Sequence, residues 1–128
     1  MLPAYDIWEL PYDGSREQQL TTTDSVPIDD ITYGLVPIAL DADGVRMLAA
    51  VTGQSRYDPY AFDVAEGGIR KFEGDALVPS GLSRDGSTVL MQTGGLDPSD
   101  RHDIVTVPWE GGAPTVLVRN ARSPSWSR

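Results

Sequence analysis

Apolar residues in this chain fall in short runs closed off by glycine, proline and aspartate, and the runs read as strands joined by turns. Ala4 to Leu10 predicts a strand, Tyr12-Asp13-Gly14-Ser15 a turn and Glu17 to Thr21 a partner strand, which make one hairpin. Thr22 to Thr32 is polar, with Pro27 and the Asp29-Asp30 pair, and reads as a connecting loop. Leu35 to Leu40, Arg46 to Thr52, Tyr60 to Val64 and Ile69 to Phe72 predict four strands, separated by Asp41-Ala42-Asp43-Gly44, by Gly53 to Asp58 and by Glu66-Gly67-Gly68. Among them Met47 to Val51 is apolar without alternation, as expected of a strand covered on both faces. Val78 to Leu82, Thr88 to Thr93, Asp103 to Val107 and Thr115 to Val118 predict four more. Between these lie Arg84-Asp85-Gly86-Ser87, the polar stretch Gly94 to His102, and Glu110-Gly111-Gly112.

The two sets of four are copies of one pattern. At an offset of 42, Leu35, Val36, Pro37, Leu40, Asp43, Gly44, Leu48 and Gly53 recur as Leu77, Val78, Pro79, Leu82, Asp85, Gly86, Leu90 and Gly95. At an offset of 97, Asp6-Ile7, Pro11, Gly14 and Leu20 recur as Asp103-Ile104, Pro108, Gly111 and Leu117. Leu82-Ser83-Arg84 matches Trp126-Ser127-Arg128 at an offset of 44. Strand-and-turn units with a period in the low forties are the signature of propeller blades, at about 40–50 residues each. The expected fold class is therefore all-β, a partial β-propeller of four-stranded antiparallel blades. Residues 1–23 supply the outer half of a blade, 34–74 and 76–120 two complete blades, and 121–128 the start of another, all within a single incomplete propeller domain over 1–128.

Several segments resemble the repeats of TolB-like propellers, a branch of the WD-repeat-like group with blades running Pro-x-Trp-Ser-Pro-Asp-Gly, apolar strand, Asp-Ile-Tyr, short strand, Gly-Gly and Leu-Thr. The matching stretches are Pro124-Ser125-Trp126-Ser127, Leu82-Ser83-Arg84-Asp85-Gly86, Asp6-Ile7-Trp8, Asp103-Ile104-Val105, Gly111-Gly112 and Leu20-Thr21. Arg84 and Arg128 stand where that pattern has proline, and Asp41-Ala42-Asp43-Gly44 replaces Ser-Pro-Asp-Gly.

Composition narrows function by exclusion. A net charge of −9 with no cluster of Lys or Arg leaves no electrostatic footprint for nucleic acid or an anionic membrane surface. The absence of cysteine removes disulfides and thiolate metal sites. Asp6 and Glu9 interrupt the first ten residues, which lack the pattern of a signal peptide, and no apolar run has the length of a membrane span. The chain is expected to be soluble, and extracytoplasmic if the resemblance extends to an upstream signal.

Candidate chemistry is sparse. Asp41-Ala42-Asp43-Gly44 has the alternating carboxylates of a calcium loop, but Ala50 falls where the bidentate glutamate belongs. The Asp-Gly pair here and at Asp85-Gly86 reads as turn chemistry, with a carboxylate accepting a backbone N–H and a glycine at positive φ. Asp97, Asp100 and Asp103 lie in or next to one loop at a spacing of three, and His102 is the only histidine. No Gly-x-Ser-x-Gly elbow exists to partner that histidine, and Asp97, Asp100 and His102 read more simply as a polar surface loop. Trp8 and Trp126 fall on repeat positions that pack between blades and are expected in the core. Trp109, which follows Pro108 at a hairpin tip and takes the place of Tyr12 in the first copy, is the best candidate for an exposed aromatic contact, although packing on the neighbouring blade is the simpler expectation for it. No cofactor or metal is expected.

The reading that results is a non-enzymatic propeller scaffold that binds a protein or ligand across its blade loops, as the resemblance implies. The rival is the gating propeller of a prolyl-oligopeptidase-type serine peptidase whose catalytic domain lies outside this sequence; a truncated reading frame without a function of its own is the third. Because two blades and two partial ones do not close a ring of four to eight, the expected partners are further blades, another protein or a second copy, with marginal stability as the alternative.

Overall fold

The computed structural model describes residues 6–20, 32–53, 56–74, 76–97 and 99–127. Those residues form ten strands, β1 (Trp8–Glu9), β2 (Gln18–Gln19), β3 (Thr32–Leu40), β4 (Arg46–Gly53), β5 (Arg56–Asp63), β6 (Ile69–Lys71), β7 (Val78–Leu82), β8 (Thr88–Gln92), β9 (Ile104–Pro108) and β10 (Thr115–Val118), and contain no helix. They make three antiparallel sheets: the hairpin β1-β2, the meander β3-β4-β5-β6 and the meander β7-β8-β9-β10. β7 and β10 have the bounds that the residue pattern predicts. β5 begins at Arg56, inside the stretch read as turn, because Tyr57 and Asp58 pair with Thr52 and Val51 and carry the ladder on toward Gly53. Of the loop expected at Thr22 to Thr32, residues 22–31 lie outside the described residues and Thr32 already belongs to β3, paired with Gly53; residues 4, 5, 21 and 128 of the predicted terminal segments also lie outside.

The sequence repeat is a repeat of register. Pro37 pairs with Ala49 and Ala39 with Leu48, with a bulge between; 42 residues on, Pro79 pairs with Met91 and Gly81 with Leu90, with a bulge at the same place. Leu40 opposite Met47 is matched by Leu82 opposite Val89. A bulge inserts an extra residue and sharpens the local twist, so both inner strands bend at one point for one reason.

The turns after β3 and β7 close alike. Gly44 and Gly86 take φ of 69° and 74°, a region open to glycine but strained for other residues. Asp41 Oδ1 accepts the N–H groups of Val45 (2.9 Å) and Arg46 (3.1 Å), and at the equivalent position Ser83 Oγ accepts that of Thr88 (3.0 Å). Asp85 accepts the hydroxyls of Ser87 and Ser83, both at 2.7 Å, and the N–H of Ser87 at 3.0 Å. These bonds, the Ser87 hydroxyl foremost, hold its carboxyl at about 2, below the usual 3.8. A carboxyl depressed by folding adds stability above its unfolded value that is lost as pH falls through the folded one. Stability should therefore drop between pH 3.8 and about 2. Acid unfolding curves of wild type and Asp85→Asn should diverge above that window and converge below it.

The core lies between layers, with the first meander in the middle. Met47, Ala49 and Val51 of β4, with Tyr60 and Phe62 of β5, pack against Ile7 and Leu20 of the hairpin. Leu48 and Ala61 point the other way and, with Phe72, pack onto Leu82, Val89, Met91, Val105, Val107 and Trp109 of the second meander. This is why β4 is apolar on both faces. A polar clasp spans the same seam: Arg46 Nη1 donates to Gly86 O (2.9 Å), and Ala42 N–H donates to Arg84 O (2.8 Å).

Candidate functional site

Of the five residues singled out in the sequence, three share the β8–β9 loop and two sit at hairpin tips. The loop is braced from within. His102 is buried, at 6% exposure, with Nδ1 2.8 Å from Thr93 O and Nε2 2.9 Å from Asp97 O. Carbonyl oxygens only accept hydrogen bonds and a neutral imidazole has a single N–H, so the ring donates to one of these oxygens while the Gln92 amide also reaches Nδ1 (3.2 Å); backbone and amide groups enclose both nitrogens and neither faces a nucleophile. His102 is thus a strut rather than the surface polar residue expected. Asp97 turns its carboxylate onto the N–H (2.9 Å) and hydroxyl (2.7 Å) of Ser99, which lower its pKa in that order. Asp103 accepts from Asn120 N–H at 3.0 Å, chief cause of its lowered pKa. Asp100 is exposed. Among the described residues no three acidic, histidine or cysteine side chains gather as a metal site.

Trp109 does not offer an exposed face. It is 8% exposed, edge-on to Phe72 with centroids 6.0 Å apart, and has the Arg46 guanidinium 5.5 Å from its ring centroid; Arg70 donates to its carbonyl. Tyr12, its counterpart in the hairpin, is fully exposed. The difference lies in what stands in front of each: Trp109 faces the first meander, whereas no described residue stands before Tyr12.

Trp8 and Trp126, expected in the core, are 53% and 41% exposed. Trp8 belongs to the outward face of the hairpin, since its neighbour Ile7 takes the face packed on the first meander. Leu10 is 77% exposed. Trp8 and Leu10 edge a groove of about 360 Å³ between hairpin and β3, floored by Met47 and lined also by Ile7, Leu20, Pro37, Ile38 and Leu40, with Glu9 as its charged member. The offset of 97 was the signal that would have found it, because it aligns Trp8, Leu10 and Tyr12 with Val105, Val107 and Trp109, all of which face the preceding layer.

Beyond β10 the chain turns back as a strap. Ala121 N–H donates to His102 O (2.9 Å) and Ser123 N–H to Gln92 Oε1 (2.8 Å), and the Trp126 ring lies over Gly81, where an added Cβ would meet Cδ1 at 3.2 Å. The strap crosses the face of the second meander that carries Leu90.

Consecutive four-stranded meanders stacked face to face, with repeating register, define a partial β-propeller. The fold is similar to that of TolB from Acinetobacter baumannii, with a TM-score of 0.61 and 13% identity over 94% of this chain. The chain spans 28% of the length of that protein. No family profile matches the sequence, and no curated protein gives a significant match. Among the described residues no helix is long and apolar enough to cross a membrane.

Proposed function

We propose that this chain is a non-enzymatic propeller scaffold that captures an extended apolar segment of a protein partner in the groove between the hairpin and β3. The observation that carries this reading is the groove itself: it has the volume of a small-ligand site, is lined by aliphatic side chains with Glu9 as one charge, and has Trp8 and Leu10 exposed at its edge. Large apolar side chains clustered in the open mark interaction surfaces. The enclosure of the buried His102 ring by the carbonyls of Thr93 and Asp97 and the Gln92 amide supports a role without catalysis.

The test is a titration with a short blocked peptide of alternating Val and Thr with one Lys, followed by NMR. Saturable shifts at the Trp8 indole and the Leu10 and Leu40 methyls, lost in Trp8→Ser, are expected, with no turnover of ester or peptide substrates. Absence of binding up to about 1 mM, the weak limit of specific recognition, or hydrolysis of those substrates, would overturn the proposal.

A further inference from the structure

The exposed apolar side chains at the two ends of this molecule are the two halves of a contact it already makes once inside itself. Where the first meander meets the second, Leu48, Ala61 and Phe72 present one surface, and Val105, Val107 and Trp109 are among the residues that receive it. The repeat registers carry each half to an open end. The presenting surface recurs on the far face of the second meander, where Leu90, itself buried on the face that the strap crosses, takes the place of Leu48, and the exposed Leu117 and Val118 follow the position of Phe72. The receiving surface recurs on the hairpin as Trp8, Leu10 and Tyr12. One molecule thus carries a presenting face at its tail and a receiving face at its head.

Building on the groove reading above, we infer that the partner is a second copy of this chain, docked head to tail, with the apolar Pro124 and Trp126 of its strap 121–127 entering the groove of the first. Hairpin and strap do not compete for the tail face. The hairpin corresponds to the outer strands β9 and β10 through the offset of 97, whereas the strap lies toward Gln92 and Gly81 of the inner strands. Charge agrees with the pairing. Residues 6–20 hold Asp6, Glu9, Asp13 and Glu17 against Arg16, whereas after Glu110 the sequence has Arg119, Arg122 and Arg128 and no carboxylate. Beside the strap Asp97, Asp100 and Asp103 keep their charges, since the bonds from Ser99 and Asn120 stabilise a carboxylate rather than discharge it, and they offset three of Arg101, Arg119, Arg122 and Arg128, which leaves the strap end net +1 against −3 on residues 6–20. Complementary end charges steer encounter and fix polarity. A contact between unlike faces closes a ring or grows a filament according to its rotation.

Sedimentation at several concentrations and salt levels tests this on the full chain. Wild type should self-associate in the micromolar range, weakening about tenfold or more as sodium chloride rises from roughly 50 to 500 mM. Trp8→Ser (dead head) and Trp126→Ser (dead tail) should each be monomeric, yet their mixture should form a 1:1 heterodimer that grows no further, because one live head and one live tail remain. Glu9→Lys and Arg122→Glu, both at exposed positions, repeat the logic where a tryptophan variant fails to fold: each alone is weakened and the mixture recovers. A wild type that stays monomeric, or association that persists in both single variants, overturns the inference. A monomeric wild type that still binds the Val/Thr peptide at Trp8 overturns it while leaving the groove reading intact.

Discussion

Replacing Trp109 by alanine is expected to destabilise the protein by about 3–5 kcal/mol, the range for emptying a buried tryptophan site. Three groups lose their partner at once: Phe72, whose ring it meets edge-on, the Arg46 guanidinium over its face, and the apolar side chains of the second meander that share its cluster. Trp109 lies within the buried cluster that fills the seam between the meanders, so its removal leaves a void among close-packed neighbours. Total stabilities of small proteins run to about 5–15 kcal/mol, which makes this single change enough to populate the unfolded state. Urea unfolding should show a midpoint well below that of wild type, and Trp109→Phe, which keeps an aromatic edge, should recover most of the difference. A midpoint within experimental error of wild type would mean that the seam is not the main source of cohesion.

The second large effect is expected at Gly94, where the β8–β9 loop leaves the sheet. Its φ of 82° is in the left-handed region, and a Cβ there would collide with the Arg101 carbonyl oxygen and lie 2.8 Å from His102 Nδ1. Left-handed backbone costs an alanine about 1–2 kcal/mol, and forcing atoms into filled space a further 1–3 or so. Gly94→Ala should therefore cost about 2–5 kcal/mol and displace the ring from Thr93 O, visible as altered His102 imidazole resonances. Gly68 is the control, since it lacks a positive φ and nothing stands within 4 Å of an added Cβ; Gly68→Ala should leave the unfolding midpoint almost unchanged.

The two repeat offsets made the fold legible, because blade strands are set by short apolar runs and turn residues that a linear pattern records. The paired bulges at Pro37–Ala39 and Pro79–Gly81 show how far that equivalence reaches. Environment was less legible. Tyr12 and Trp109 are equivalent under the repeat, as are Trp8 and Val105, yet only Trp109 and Val105 are covered, since coverage depends on which layer stands in front rather than on the residue. His102 misled for a related reason: a histidine in a polar loop looks solvated until the carbonyls of Thr93 and Asp97 are seen to converge on it. The start of β5 was missed because Gly53 and Pro59 mark a turn locally, while pairing with β4 extends the strand between them.

The kinked inner strands have a consequence for colloidal behaviour. β3 and β7 are edge strands of their sheets, and each carries a proline beside its bulge, at Pro37 and Pro79. A proline withholds a donor and a bulge warps the rim, so neither strand is a flat template on which a foreign strand can add. The outer rim of the first meander is guarded instead by charge, with Arg70 and Lys71 in β6. β10, Thr115-Val116-Leu117-Val118, is exposed at every residue and has neither proline nor charge; its irregular register after Val116 is the sole protection it has. Protection against strand addition is therefore uneven across the molecule, and β10 is the rim along which a neighbouring chain would add first.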